Sequence, residues 1–254
     1  MNRKFFGGGL PKFAAVLCFW LVLWQAAAYF VGVDFLLPSP IDVVKCFLRL
    51  AGTAVFRQSI GFTAGRIFIG FFTAFLVALG LAVLSGLFRT VRELLYPFMT
   101  AVKSVPVASF VILALIWVGS ASLSIFISFV MVLPVLYTGM LSGIDARDEK
   151  MLEMADSFGL SPLRKAVYIY LPTAFPYVRN AVCVSLGLCW KAGVAAELIG
   201  VPHGSIGEQL YFSKAYFLTA ELFAWTLTII VLSMVFEKMI LLAVDKAFLL
   251  FESA

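Results

Sequence analysis

Two charged side chains, Lys191 and Glu197, stand near the end of a long apolar run and are the strongest candidates for chemistry in this sequence. A charge inside a bilayer costs roughly 2.5–3.5 kcal/mol on insertion scales, so it is a functional hypothesis by default. Both are predicted to line a pathway or gate, and Lys191 could attract an anionic solute. Six residues separate them, so they do not share a helical face and each needs another partner. The alternative is a structural ion pair, or a side chain that snorkels to the membrane surface.

Other reactive residue types do not combine into a site. His203 is the only histidine, and it has no cluster of cysteines or carboxylates beside it, which argues against a metal site. The cysteines form no C-x-x-C pair and are predicted to be small buried apolar residues; they are Cys18, Cys46, Cys183 and Cys189. The sequence contains neither a nucleophile–base pair nor a G-x-x-x-x-G-K-[ST] phosphate loop. We therefore predict no catalytic residue, no metal and no cofactor held by this chain.

The composition excludes a soluble protein. The chain is 63% hydrophobic and 13% charged, with a mean hydropathy of +1.04, whereas soluble domains carry about 25% charged residues. Its apolar residues form long runs instead of short alternating segments, which favours a helix bundle over a β-barrel. The net charge of +5 is typical of loops that face the cytoplasm and does not indicate a nucleic-acid partner.

The apolar runs predict an all-α membrane protein with one transmembrane domain over residues 1–254. Each run is long enough to cross a bilayer, and the six predicted spans are 13–33, 60–87, 97–118, 123–143, 174–200 and 219–243. The first run resembles a signal peptide, but its length favours an uncleaved helix. We expect Lys191 and Glu197 to find partners on the third span or on a second copy of the chain.

Two further residues of these spans are candidates for the pathway. Pro106 either kinks the third span and frees backbone groups toward a cavity, or simply starts a helix. Trp190 either lines the pathway or packs against a neighbouring helix.

The basic residues give the spans an orientation. With a cytoplasmic N-terminus, the inside segments carry 12 basic residues and the outside segments carry 4. The positive-inside rule therefore predicts that both termini are cytoplasmic. The same orientation places the longest connection, 144–173, on the cytoplasmic side. Between the first two spans, the amphipathic stretch 41–52 is predicted to lie at the membrane surface.

The connection 144–173 is polar and bent, and its residues predict a helix, a corner and a second helix. The first helix ends near Phe158, where Gly159 supplies a permissive hinge. Ser161 followed by Pro162 is a favourable helix start, and the second helix is expected to end at the Leu171-Pro172 step. Such a knob is suited to a groove on another protein.

This connection resembles the EAA loop of type I ABC importer permeases, E-x-A-x-x-x-G-x9-I-x-L-P. The matching residues are Glu153, Ala155, Gly159, Ile169, Leu171 and Pro172, while Met154 stands where the family usually has alanine. The stretches LLPSPIDVV, KSVPVASFVILALIWVGSASLSIF and WKAGVAAELIG resemble the nitrate/sulfonate/taurine branch of the family. The resemblance covers roughly residues 30–245.

The resemblance implies a six-span permease fold whose connection 144–173 carries a coupling helix that docks into an ATPase subunit. It assigns ATPase coupling to Glu153, Ala155, Asp156, Ser157, Phe158, Gly159, Leu160, Ser161, Pro162 and Arg164. Two of these residues have a simpler explanation. Glu153 is then a carboxylate that interacts favourably with the helix dipole, and Arg164 is an ordinary positive-inside charge.

The resemblance also implies the partners of the chain. They are two ATP-binding subunits that hold ATP and Mg, a second permease copy in a homodimer, and an external binding protein. The location would be the bacterial cytoplasmic membrane. The solute would be a sulfonate-, taurine- or nitrate-like anion, or a compound like a thiamine precursor.

A stand-alone secondary carrier or channel is the alternative function. Such a protein carries its own charged relays or discontinuous helices at the midplane, and it often shows an internal repeat. The first, second, fourth and sixth spans hold almost no internal charge and no repeat is evident, which favours the importer.

Overall fold

The protein is helical throughout the part that the structure, a computed structural model, describes, which is residues 9–33 and 35–252. No strand occurs among those residues, so the predicted all-α fold is confirmed. In chain order the elements are α1 (Gly9–Val31), α2 (Pro40–Ala51), α3 (Ala54–Leu87), α4 (Arg89–Ser104), α5 (Val107–Asp145), α6 (Glu149–Ser157), α7 (Pro162–Lys165), a π-helical turn (Ala166–Tyr170), α8 (Leu171–Gly200), α9 (Ile206–Ala215) and α10 (Thr219–Glu252).

Five helical segments of the described residues are long and apolar enough to cross a membrane. They are Ala14–Val31, Ala54–Leu87, Val107–Asp145, Pro162–Gly200 and Thr219–Leu249. The count differs from the six predicted spans because the third span, 97–118, is not a single helix. Helix α4 ends at Ser104 and α5 begins at Val107.

Proline chemistry explains this break. The residue before a proline is pushed out of the helical region, and Val105 is accordingly extended at φ −75°, ψ 129°. Pro106 follows in the N-cap position of α5, where its missing N–H costs nothing. Pro106 therefore starts a helix and does not kink one.

The chain reverses direction within α5, at Gly119. This residue has φ 72° and ψ 165°, a region that essentially only glycine occupies. The rings of Phe110 and Phe126 stack with centroids 6.1 Å apart, whereas in a straight helix these residues would be about 24 Å apart. Residues 107–118 and 120–145 are therefore antiparallel, with the reversal between the third and fourth predicted spans.

Small residues allow α5 and α8 to approach closely. A Cβ atom built on Gly143 would lie 2.9 Å from Cα of Ala174, and one built on Gly139 would overlap the Ala181 methyl group. Close backbone approach through small residues is the usual way in which helices associate in lipid, where no hydrophobic drive separates a helix from its surroundings. The pair α5–α8 forms the frame that carries the candidate sites.

We expect Gly139→Ala to destabilise the protein by about 1–3 kcal/mol, because the added methyl group overpacks the α5–α8 contact. Gly80→Ala is the matched control, since nothing lies within 4 Å of its added Cβ and alanine is the better helix former. Thermal unfolding of the detergent-solubilised proteins measures both. Equal melting temperatures for the two variants would contradict this account of the packing.

A π-helical turn carries the chain from α7 into α8. The Leu171 N–H donates to the Ala166 carbonyl in an i→i−5 bond. This wider turn accommodates Pro172, whose ring would clash with the carbonyl four residues earlier in a regular helix. The predicted helix end at Leu171-Pro172 is therefore wrong, and helical turns continue from Pro162 to Gly200.

Two compact units are present, and each is described by itself. One comprises the described parts of 1–58 with 209–228, and the other comprises 59–208 with the described part of 229–254. In the first unit, Arg49 pairs with Glu221 at 3.1 Å and Phe56 packs on Trp225 at 5.2 Å between ring centroids. The second unit contains α3 from Ser59 onward, α4 to α8 and the start of α9, and therefore every site described below.

Candidate functional site

The connection between α5 and α8 folds into a helix–corner–helix elbow, defined here as residues 148–165. Helix α6 ends in a Schellman motif: the Gly159 N–H donates to the Asp156 carbonyl at 3.0 Å, and the Leu160 N–H donates to the Ala155 carbonyl at 2.9 Å. Gly159 has φ +65°, the left-handed conformation that this motif needs at that position. The corner therefore depends on glycine.

The second half of the elbow starts as the sequence predicted. The Ser161 hydroxyl accepts a hydrogen bond from the Arg164 N–H at 3.5 Å, and Pro162 occupies the first helical position. Lys165 forms an ion pair with Asp156 and so joins the two helices. Ala155 is 1% exposed at the inside of the bend. These contacts make the elbow a preorganised surface.

The outer surface of the elbow is apolar at its tip. Phe158 and Leu163 are each 78% exposed, and Met154 is 55% exposed. Large apolar side chains held outward on a rigid turn are typical of a surface that binds another protein. The remaining predicted coupling residues that are exposed around this tip are Glu153, Asp156, Ser157, Gly159, Ser161, Pro162 and Arg164, while Leu160 is half-buried.

The structure brings Glu197 into a buried network. Its side chain is 0% exposed, and its Oε2 accepts hydrogen bonds from the Thr63 hydroxyl at 2.7 Å and from the Gly207 N–H at 3.3 Å. The Thr63 hydroxyl in turn accepts from the Ile206 N–H at 3.0 Å. The expected partners on the third span or on a second copy are therefore wrong for Glu197. Helix α3 and the start of α9 supply them instead.

Glu197 fixes a tight corner between α8 and α9. Val201 has φ +45°, which is unusual for a β-branched residue, and its N–H donates to the Glu197 carbonyl at 2.8 Å. A Cβ on Gly207 would overlap the Glu197 side chain, so only glycine permits this approach. Glu197 therefore joins α3, α8 and α9 at this corner, and its part in the pathway stays a prediction.

The other predicted pathway residues do not gather around Glu197. Lys191 is exposed. Trp190 is 2% exposed and packs edge-on against Phe236, with ring centroids 5.8 Å apart. Pro106 is exposed at the start of α5. The cysteines differ in exposure. Cys46 and Cys189 are buried as predicted, whereas Cys18 is exposed, contrary to the prediction.

A groove that the sequence did not predict runs between α4 and the second half of α5. It has a volume of about 230 Å³, and apolar atoms form most of its wall. It is lined by Arg92, Tyr96, Met99, Thr100, Lys103, Tyr137, Thr138, Leu141, Ser142 and Asp145. A neighbouring cavity of about 510 Å³ shares Thr138 and Ser142 and adds Asn180 from α8. Polar side chains from three helices thus line two neighbouring cavities.

The groove could have been found only in part from sequence. Lys103 lies at the start of the third predicted span, and its charge was a signal. Thr138 and Ser142 are single polar residues in an apolar run, and each hydroxyl can bond to the carbonyl one turn back, as both do here. Their convergence with α4 depends on the reversal at Gly119.

Comparison with known proteins identifies the fold that carries these features. Residues 51–245 match the family described as the binding-protein-dependent transport system inner membrane component. The chain belongs to this family. It is an ABC transporter permease and a multi-pass inner membrane protein, which confirms the family inferred from the EAA-type motif.

Several relatives of the permease carry names that point to sulfonates. It is 26% identical to the taurine transport system permease protein of Escherichia coli (strain K12), over 88% of this chain and 82% of that protein. It is 31% identical to a putative aliphatic sulfonates transport permease protein of the same strain, over 72% of this chain and 71% of that protein. A putative ABC transporter permease protein of Methanocaldococcus jannaschii is 23% identical, over 90% of this chain and 87% of that protein.

Proposed function

We propose that this permease forms the translocation pathway for a small sulfonate in an ATP-driven importer, and that the elbow couples it to the ATPase. The observation that carries the proposal is the preorganised elbow, with its EAA-type residues and its exposed apolar tip. The two helices of the elbow are tied together by the Schellman motif and by the Lys165–Asp156 pair. A partner that pulls on α6 and α7 therefore moves them as one piece.

Two ATPase subunits would bind ATP and Mg and supply the energy, since the sequence of this chain contains no phosphate loop. Closure of the ATPase pair would swing the elbows of two permease copies, which form a homodimer. The pathway would then change from inward-facing to outward-facing and accept solute from an external binding protein. In this arrangement both termini and the elbow are cytoplasmic, as the distribution of basic residues predicts.

The sulfonate assignment rests on the names of the relatives together with the groove between α4 and α5. The groove offers hydroxyl groups beside the basic side chains of Arg92 and Lys103, and the neighbouring cavity adds the Asn180 amide. An anion with several acceptor oxygens suits such a lining. The competing solutes are a nitrate-like anion and a thiamine-precursor-like compound. Uptake of either one in the proteoliposome assay described below would identify it as the solute.

We expect Phe158→Ser and Leu163→Ser each to weaken association with the ATPase about tenfold, because each removes an exposed apolar anchor from the tip of the elbow. Tyr168→Ser is the matched control, since Tyr168 is similarly exposed at 68% but lies outside the elbow. Binding of the purified ATPase to the permease in nanodiscs measures all three. Equal losses in the three variants would argue against the tip as the docking site.

Uptake into proteoliposomes tests the proposed function as a whole. Vesicles contain the permease with its ATPase, and the binding protein is added outside with radiolabelled taurine or ethanesulfonate. Uptake that requires ATP and the binding protein supports the importer. Uptake by the permease alone, without ATP, would overturn it in favour of a stand-alone carrier.

A further inference from the structure

We infer that Lys103 makes the α4–α5 groove selective for anions and is the residue of this chain that meets the acidic group of the solute. The inference rests on the proposed function, because it takes the groove to be part of the translocation pathway. It adds to the proposed function the residue that contacts the solute, Lys103, and the negative charge of the solute that this residue recognises. The evidence is the geometry of the groove and the balance of charges along it.

The groove lies between two antiparallel segments and carries charged contacts at two points along its length. Arg92 on α4 pairs with Asp145 at the end of α5, and Lys103, 11 residues later on α4, reaches Thr138, seven residues before Asp145. The two contacts therefore lie at successive levels of the same groove. Lys103 occupies the level farther from the elbow, since Asp145 is the last residue of α5 and the elbow follows it in the chain.

The charges of the groove do not cancel. Arg92 makes two parallel hydrogen bonds to Asp145, from Nη1 at 3.1 Å and from Nη2 at 2.7 Å, so these charges neutralise each other. Arg89 is likewise paired with Glu93 at 2.9 Å. Within the described residues Lys103 has no carboxylate within ion-pair distance. The groove thus keeps one positive charge, and it lies at Lys103.

The ammonium group of Lys103 is only partly satisfied by the protein. Its Nζ donates one hydrogen bond, to the Thr138 hydroxyl at 3.3 Å, and an ammonium group has three protons to donate. Thr138 is otherwise committed, since its hydroxyl donates to the Pro134 carbonyl at 2.7 Å. Lys103 lines the groove and is exposed, so its remaining donors are open to a ligand.

Position places this charge beside the hydroxyl groups of the groove. Lys103 lies in the last turn of α4, outside the five segments that are long and apolar enough to cross a membrane. Its neighbours in the groove include Tyr96, Thr100 and Ser142, and the hydroxyls of Thr100 and Ser142 donate to carbonyls one turn back. A small anion with several acceptor oxygens would therefore accept first from the remaining donors of the Lys103 ammonium group.

Charged thiol reagents test the inference without knowledge of the natural solute. Ser142→Cys places a thiol on an exposed position of the groove, one turn from Thr138. Its rate of modification is measured with an anionic reagent, the ethylsulfonate methanethiosulfonate, and with a cationic one, the trimethylammonium analogue. The permease with its ATPase is held in inside-out membrane vesicles. Each rate is divided by the rate at which the same reagent modifies a free thiol in solution. Modification of the native cysteines is measured in the chain without Ser142→Cys and is subtracted.

The expected result is a normalised rate ratio that favours the anionic reagent, and a fall of about fivefold to tenfold in this ratio with Lys103→Gln. The change is large because removal of the charge slows one reagent and speeds the other. Lys103→Arg keeps the charge and should keep the ratio. Lys246→Gln removes an exposed charge from α10, outside the groove, and should also leave the ratio unchanged.

Three other outcomes would each overturn the inference. A ratio near one that Lys103→Gln does not alter shows that the groove is open but not selective for anions, so the proposed pathway survives without this contact. An equal fall with Lys246→Gln indicates a diffuse field in place of a local site. A thiol that neither reagent reaches means that the groove is closed to water, and the pathway assignment of the groove fails with the inference.

Discussion

Gly159→Val is expected to abolish copurification of the ATPase with this permease. Gly159 has φ +65°, and a left-handed conformation costs an L-residue roughly 1–2 kcal/mol, with more for a β-branched side chain. The chain would escape this strain by unwinding the Schellman motif. The exposed side chains of α6 and α7 would then lose their fixed arrangement together, which is why the effect exceeds that of Phe158→Ser.

Gly159→Asn is the matched control for this prediction. Nothing lies within 4 Å of a Cβ built on Gly159, so no side chain clashes there, and the two variants differ mainly in backbone preference. Asparagine tolerates the left-handed conformation, and we expect it to retain most of the bound ATPase. Both variants are expressed with the ATPase and recovered through a tag on the permease. Loss of the ATPase in both variants would show that the docking surface itself, and not the corner, was disturbed.

Glu197→Ala is expected to destabilise the permease by about 3–5 kcal/mol and to lower its apparent Tm in detergent by roughly 10 °C. The substitution leaves a cavity at a fully buried position, and it removes the acceptor for the Thr63 hydroxyl and the Gly207 N–H. Those donors have no access to water at this site. The α8–α9 corner should therefore loosen first.

Glu197→Gln separates the hydrogen bonds from the charge. Glutamine has the same shape, and its carbonyl oxygen can still accept from Thr63 and Gly207, so we expect it to keep most of the stability. Limited proteolysis within 201–205 reports the corner directly, and it should increase for alanine only. A strong loss of transport with Gln at unchanged stability would contradict the structural role and restore Glu197 as a pathway charge.

Local chemistry explains why the elbow could be predicted from sequence. Ser161 and Pro162 define a helix start by themselves, and Gly159 defines a helix end, because each acts on backbone groups within a few residues. The break between the third and fourth spans is likewise local, since GSAS interrupts an apolar run and Gly119 adopts the unusual conformation. The helix end expected at Pro172 failed because a π-helical turn can absorb a proline, and no short motif signals such a turn.

Long-range contacts explain what could not be predicted. The partners of Glu197 lie 134 residues earlier and 10 residues later in the chain, and nothing in the sequence of α8 indicates either. The sequence shows that Lys103 is charged. It does not show that Arg92 and Asp145, 53 residues apart, neutralise each other and leave Lys103 as the net charge of the groove. The structure therefore adds buried partners for Glu197 and adds Lys103 as a charge that lines the groove.

The reversal at Gly119 has a consequence for how the permease enters the membrane during synthesis. The stretch 107–118 holds 12 residues, about 18 Å of helix, and the hydrocarbon core is about 30 Å thick. Helix α4 before it is short and separated from it by the break at Pro106. Neither piece can partition into lipid as an independent span. We therefore expect residues 89–145 to leave the insertion machinery as one hairpin, with Gly119 at its turn.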